Sequence, residues 1–309
     1  MRPRDWLEIP IDAWVEFVVK DWLVPNFRFV FQAIQKPVAW LLNGFEAGLL
    51  ATPVLVMVVV LTAIGWSVAG RRIGIFTLLS LLLIDMMGVW DETMTTLSMI
   101  LTAVAFCVIV GVPLGIVAAR SDRFAAGIRP VLDIMQTIPP FVYLVPIVML
   151  FGVGMVPGVI ATIIFALPPV IRLTSLGIRQ VQEDLVEAAY AFGATPRMIL
   201  WVVQVPLALR TIMTGVNQTL MLALSMAVIA ALIGAAGLGL TVVTGLGRLD
   251  VGRAAEGGLG IVLLAIVLDR ITQALSERHH GRQRSLWRTI RTLFTAKESR
   301  SLESGDAGR

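Results

Sequence analysis

Residues 93–119 read TMTTLSMILTAVAFCVIVGVPLGIVAA, an apolar run with no charge anywhere in it. It is longer than the roughly 20 residues that cross a bilayer as a helix. Residues 47–70 form a second uncharged run. The whole 309-residue chain is 57% hydrophobic and only 15% charged, with a mean hydropathy of +0.85. A soluble domain is nearer to a quarter charged. The composition predicts an all-α integral membrane protein and excludes an ordinary soluble domain. The net charge of +4 falls largely in the C-terminal tail, so it carries no nucleic-acid footprint. The one cysteine, Cys107, lies inside the apolar run and reads as a small buried side chain. No secretory signal peptide is visible at the start.

The segments around this run predict about seven spans. The first covers 48–69, ended by Arg71 and Arg72, and the second 73–90, ended by Asp91 and Glu92. The third covers 95–119. Between Arg129 and Arg172 the one charge is Asp133, and that stretch fits two spans broken near Gly152–Gly154 and Pro157-Gly158. The sixth covers 209–233 and dissolves into Gly234–Gly239. The last covers 256–275. Upstream, Asp12, Glu16 and Lys20 repeat at spacing four, followed by Arg28, Gln32, Gln35 and Lys36. Trp14, Phe17, Trp22, Phe29, Phe31 and Trp40 supply the apolar faces. A helix of this kind is expected to lie in the membrane interface, because a polar group every fourth residue is costly in hydrocarbon. The domains are therefore an amphipathic segment 1–46, a membrane-spanning domain 47–276 and a basic tail 277–309.

Arginine placement orients the bundle. Arg71, Arg72, Arg120, Arg123, Arg129, Arg172, Arg179, Arg197 and Arg210 fall on one side, against Arg248 and Arg253 on the other. The positive-inside rule makes the first side cytoplasmic. The N-terminus is then outside and the C-terminal tail inside. That tail offers cations to anionic membrane lipids. His279 and His280 within it read as solvated, and no metal site is expected.

One cytoplasmic segment is too polar to span. Residues 182–200 read QEDLVEAAYAFGATPRMIL. Glu183 and Asp184 suit the positive end of a helix. Leu185, Ala188, Ala189 and Phe192 share a face. Gly193 suits a left-handed stop. Thr195 caps a second short helix, with Pro196 at its first position. The product is a compact helical knob with small residues that let a partner backbone approach.

Glu187-Ala188-Ala189, Gly193 four residues on, then Val203, Val205 and Pro206 resemble the EAA loop of bacterial ATP-binding-cassette import permeases. Val203 and Val205 stand where the family pattern has Ile and Leu. The segments 133–143, 164–169, 215–218, 221–226, 234–239 and 268–273 resemble the glycine betaine/proline betaine permease subfamily. The likeness covers roughly residues 45–275. It implies an inner-membrane permease subunit, working as a homodimer, that imports a quaternary-amine compatible solute. It implies two partners, an ATPase subunit and an extracytoplasmic solute-binding protein. It implies that Glu187, Ala188, Ala189 and Gly193 of segment 182–206 couple to the ATPase, and that Pro206 leads into the next span. A permease of the same class for choline, carnitine or an amino acid stays open as an alternative, as does a secondary transporter.

The chain has no G-x-x-x-x-G-K-[ST] phosphate cradle and no set of catalytic side chains. It is therefore expected to be no enzyme and to hold no cofactor. Polar residues at membrane depth are candidates to line a path: Gln136, Tyr143, Asn217, Gln218 and Ser225. Asn and Gln serve equally well to join helices. Asp133 is expected to pair with Arg129 one turn away, and Asp85 to make a structural hydrogen bond. Pro139, Pro140, Pro168 and Pro169 are hinge candidates, since each removes a helical hydrogen bond.

Overall fold

The computed structural model describes residues 24–276, together with Trp14, Phe17, Asp21 and Trp22. The stripe of Asp12, Glu16 and Lys20 and the tail 277–309, with its histidines, lie outside the described residues. The described chain is helical throughout. In order it forms α1 (Val24–Ala51), α2 (Val54–Ala69), α3 (Arg71–Met86), α4 (Trp90–Arg120), α5 (Asp122–Thr137), α6 (Pro140–Phe151), α7 (Met155–Arg179) and α8 (Glu183–Ala191). A turn at Pro196–Met198 and a π segment at Ile199–Gln204 lead into α9 (Val205–Ala231), followed by α10 (Leu238–Gly247) and α11 (Val251–Ser276).

Four of these helices are long and apolar enough to cross a membrane, and six spans result if each sharply bent pair is taken as one. Length and composition alone neither reach nor exclude the expected seven: α3, with 16 residues, rises about 24 Å and falls short of the length of a span counted by itself. The expected first span also starts too early. Pro53 is extended, and the chain turns by 109° between α1 and α2.

α7 is the axis of the bundle, packed between α4 and α9. Small residues bring the backbones together on both sides, as expected where no hydrophobic force acts between helices. A Cβ at Gly115 of α4 would lie 2.5 Å from Thr174 Cβ and 2.8 Å from the Ile171 carbonyl. A Cβ at Gly215 of α9 would lie 3.1 Å from the Pro169 carbonyl. Around this axis Met94, Leu97, Ile100, Leu220, Leu224 and Leu238 are buried in one cluster.

Two proline pairs behave differently. Ile138 and Pro139 each precede a proline, which disfavours helical backbone. Both are extended, and α5 meets α6 at 100°. Pro168 and Pro169, also a hinge expectation, lie inside the single helix α7, and both are buried. Neighbouring helices supply donors to that turn. The Thr219 hydroxyl donates to the Ala166 carbonyl at 2.8 Å, and the Cys107 thiol faces the Ile163 carbonyl at 3.8 Å. These bonds reach the carbonyls on either side of Ile164 and Phe165, the two whose donors the prolines remove, and packing of α4 and α9 against this turn keeps it helical.

α1 crosses one end of the bundle. Val38 and Leu42 are buried among Met99, Ala103, Val159 and Ile160. Gln35 donates to the Phe151 carbonyl, and Thr95 donates to Glu46. Thr95 and Phe151 both lie at the end opposite Arg120 and Arg179. Phe29 and Trp40 point away, 82% and 78% exposed. At this same end, the Thr96 hydroxyl donates to the Glu92 carbonyl and accepts from the Leu238 N–H at 2.8 Å. That bond satisfies the start of the short helix α10.

Replacing Gly115 by leucine overpacks the α4–α7 seam and is expected to cost about 1–3 kcal/mol. A thermal unfolding scan in detergent checks this: Gly115→Leu lowers the midpoint, whereas Gly127→Ala, where a Cβ meets nothing within 4 Å, leaves it in place.

Candidate functional site

The polar segment forms a projecting knob. α8 begins with Glu183 and Asp184 in its first turn, and none of its residues is buried. It ends where Phe192 N–H reaches the Ala188 carbonyl and Ala194 N–H the Ala189 carbonyl. Gly193 has φ +81°, and a Cβ there would meet nothing within 4 Å. The glycine is therefore required by conformation and not by space. Thr195 caps the next turn, its hydroxyl accepting from Met198 N–H at 3.4 Å with Pro196 at the first position. Phe192 at the tip is 92% exposed, and Tyr190, Met198 and Trp201 are more than half exposed. Ala188 is exposed and Ala189 half-buried.

The knob is rigidly joined to the bundle. The chain from Pro196 to Ala231 runs as one helix, with the π segment as its one irregular turn. Pro206 lies two residues beyond the end of that segment. A proline in a helix leaves a carbonyl without its donor, and a π turn is one way a helix absorbs this. Ile199 and Leu200 are buried. Leu200 joins Ile116, Ile178, Ala208 and Ile212 in a cluster linking α4, α7 and α9. Between α8 and the ends of α4 and α7 lies a cavity of about 460 Å³, where Glu187 and Tyr190 face Arg120 and Arg179.

Arg179 ties three helices at this end. Its guanidinium pairs with Asp122 of α5 at 2.7 Å and donates to the Ala118 carbonyl of α4 at 2.7 Å. A second ion pair joins α5 to α7 two turns further along. Asp133 pairs with Arg172, not with Arg129 of its own helix. The correction has a simple cause: α7 packs beside α5, so a partner across the seam wins over one along the helix. Neither interhelical pair was foreseen from the sequence. The available signal was an isolated charge in each of two apolar stretches, one of either sign.

The five path candidates fall on three helices, α5, α6 and α9. Gln136 is half-buried near the end of α5. Tyr143 of α6 packs against the cluster of Leu144, Ile147, Ala161, Met226 and Ile233, which joins α6, α7 and the end of α9. Its buried hydroxyl finds no partner among the described residues. Asn217 of α9 donates to Asp269 of α11 at 3.0 Å, and Gln273 donates to the same carboxylate at 2.8 Å. Asn217 is therefore helix-joining. Ser225 donates to Met221 in its own helix, and Gln218 is exposed. Asp269 was read from the sequence only as part of a motif; its role as acceptor for two amides required the fold.

A β-branched residue at Gly193 faces a left-handed backbone costing roughly 1–2 kcal/mol. Gly193→Val is expected to weaken the knob, and Gly193→Asn much less. Protease nicking within 190–196 of the purified protein checks this, rising for valine and near wild type for asparagine.

Comparison with known proteins accords with this geometry. Residues 111–280 match the family model described as "Binding-protein-dependent transport system inner membrane component". The chain is 56% identical over 281 residues to the glycine betaine/proline betaine transport system permease protein ProW of Escherichia coli (strain K12), covering 91% of this chain and 79% of that one. It is 45% identical over 280 residues to the glycine betaine transport system permease protein OpuAB of Bacillus subtilis (strain 168), covering 91% and 98%. Among solved structures, an inward-facing form of the MetNI methionine ABC transporter aligns with a TM-score of 0.53 at 22% identity, covering 62% of this chain and 93% of that one; that likeness concerns the fold. A projecting helical knob on a bundle of apolar helices, and relatives that match along nine-tenths of the chain, agree: the protein belongs to the family of binding-protein-dependent transport system inner membrane components.

Proposed function

We propose that the chain is the permease subunit of an ATP-driven importer for glycine betaine and proline betaine. The observation that carries this reading is the exposed knob of Ala188, Tyr190 and Phe192, rooted in the bundle through the π segment. The names of the similar permeases supply the solute. The chain holds no phosphate cradle of its own, so the ATPase is a separate subunit that receives the knob. A solute-binding protein delivers the betaine to the opposite end. The Arg-rich end is cytoplasmic by the positive-inside rule, which places α1 in the outer membrane interface among lipids. Two copies of the chain form the permeation unit.

The geometry suggests how movement is passed on. Closure of the ATPase pair shifts α8. The shift reaches α9 through the continuous helix from Pro196. It reaches α7 through the Ile178, Leu200 and Ala208 contacts. Arg179 carries it to α4 and α5, since it holds both. α6 lies beyond the 100° bend at Pro139 and need not follow as one body.

The test is uptake by proteoliposomes holding the permease, its ATPase and its binding protein. Ala189→Trp is expected to abolish betaine uptake and the binding-protein stimulation of ATP hydrolysis while the protein still inserts. Phe192→Ala is expected to weaken ATPase capture by about tenfold, the value of one anchoring aromatic. Undiminished uptake by Ala189→Trp would overturn the docking assignment.

A further inference from the structure

The Asp133–Arg172 ion pair is in an unusual place. Arg172 lies two helical turns inside α7 from Arg179, roughly 10 Å along the axis. Asp133 is three turns inside α5. At this depth a charge facing hydrocarbon is costly. Yet the two side chains are 43% and 63% exposed. Charges left open by the rest of the chain at this depth do not rest against lipid; the surface that bears them meets water or polar protein.

A cavity of about 360 Å³ opens at that surface between α5 and α7. Its walls are apolar, with Leu132 and Ile171 among them, and its charges are Arg129, Arg172, Arg179 and Asp133. Arg179 is committed to Asp122 and to the Ala118 carbonyl. Arg129 makes no ion pair or hydrogen bond among the described residues. The cavity thus offers one unpaired guanidinium, one guanidinium shared with a carboxylate, and that carboxylate.

We propose that this cavity is the inner station of the solute path and takes a small zwitterion. The solute's carboxylate lies on Arg129 and Arg172, which bind carboxylates with fixed geometry. Its quaternary ammonium lies against Asp133, and its methyl groups meet the apolar wall. As the carboxylate arrives, it competes with Asp133 for Arg172 and loosens the α5–α7 pair. No aromatic residue lines the cavity, so the site lacks the cation–π contribution of a tight cage. Weak holding suits a place from which solute must leave. The proposal rests on the chain being a betaine permease, and it adds where the solute pauses and which groups it meets.

Two measurements test it. Ser175 lines the same cavity. Ser175→Cys is introduced in a Cys107→Ala background, assembled with the ATPase, in inside-out vesicles. A cationic thiosulfonate reagent is expected to label the new thiol, and glycine betaine to slow labelling where sucrose does not. No labelling means the face is dry, against lipid or a second copy, and overturns the proposal. Labelling that betaine leaves unslowed overturns the ligand.

The second measurement is maximal betaine uptake. Arg129→Gln and Arg172→Gln are expected to lower it about tenfold, the order set by one charge-assisted hydrogen bond. Arg129→Lys, which keeps the charge and loses the fork, should recover only part of it. The swap Asp133→Arg with Arg172→Asp keeps the pair and is expected to stay impaired. Full recovery by the swap would make the pair a mere brace and overturn the station. Wild-type uptake separates the two readings. Its absence sinks the choice of solute, whereas uptake with an unprotected thiol sinks only the station.

Discussion

A peptide group in hydrocarbon has no water to turn to. Every N–H and C=O must find its partner within the protein, and the rest of this structure follows from that demand. It makes the described chain helical throughout. It also explains where side-chain hydroxyls are spent. Thr93, Thr96, Ser98, Thr102, Thr162 and Thr272 each return a hydrogen bond to a carbonyl of their own helix. Thr219 instead donates across to α7, to the turn that holds Pro168 and Pro169. Where no such partner is found, as at Ile138-Pro139, the ladder stops and the chain turns by 100°.

The sequence made some of this legible and hid the rest for identifiable reasons. Composition alone established a helical membrane protein. The knob was readable in detail, because Thr195, Pro196 and Gly193 act through local backbone chemistry that needs no tertiary context. The break near Gly152 was readable on the same grounds. The proline pairs were not separable, since what distinguishes Pro139 from Pro168 is the helix packed beside it. Asp133 was assigned a partner on its own helix because a sequence shows only neighbours along the chain. The start of the first span also escaped, because hydropathy does not register a bend at Pro53.

Charge at membrane depth is distributed with a pattern. Asp269 is held by two amides, from Asn217 and Gln273, and fastens α11 to α9. Asp133 and Arg172 pair directly with each other on the wall of the cavity between α5 and α7. The first arrangement satisfies a carboxylate with neutral donors and leaves no opposite charge to be displaced. The second leaves charges of both signs within reach of a polar solute. The two carboxylates are alike chemically and differ in what surrounds them.

The π segment at Ile199–Gln204 has a geometric meaning of its own. A helix turns about 100° for each residue, and a π turn holds one residue more than an α turn. Everything on the knob side is thereby rotated by about a quarter turn against α9, with an axial displacement of only about 1.5 Å. The bulge works as a phase setting between knob and spanning helix. It sets which side of α9 lines up with α8, and a single deletion within it would turn α8 toward a different neighbour.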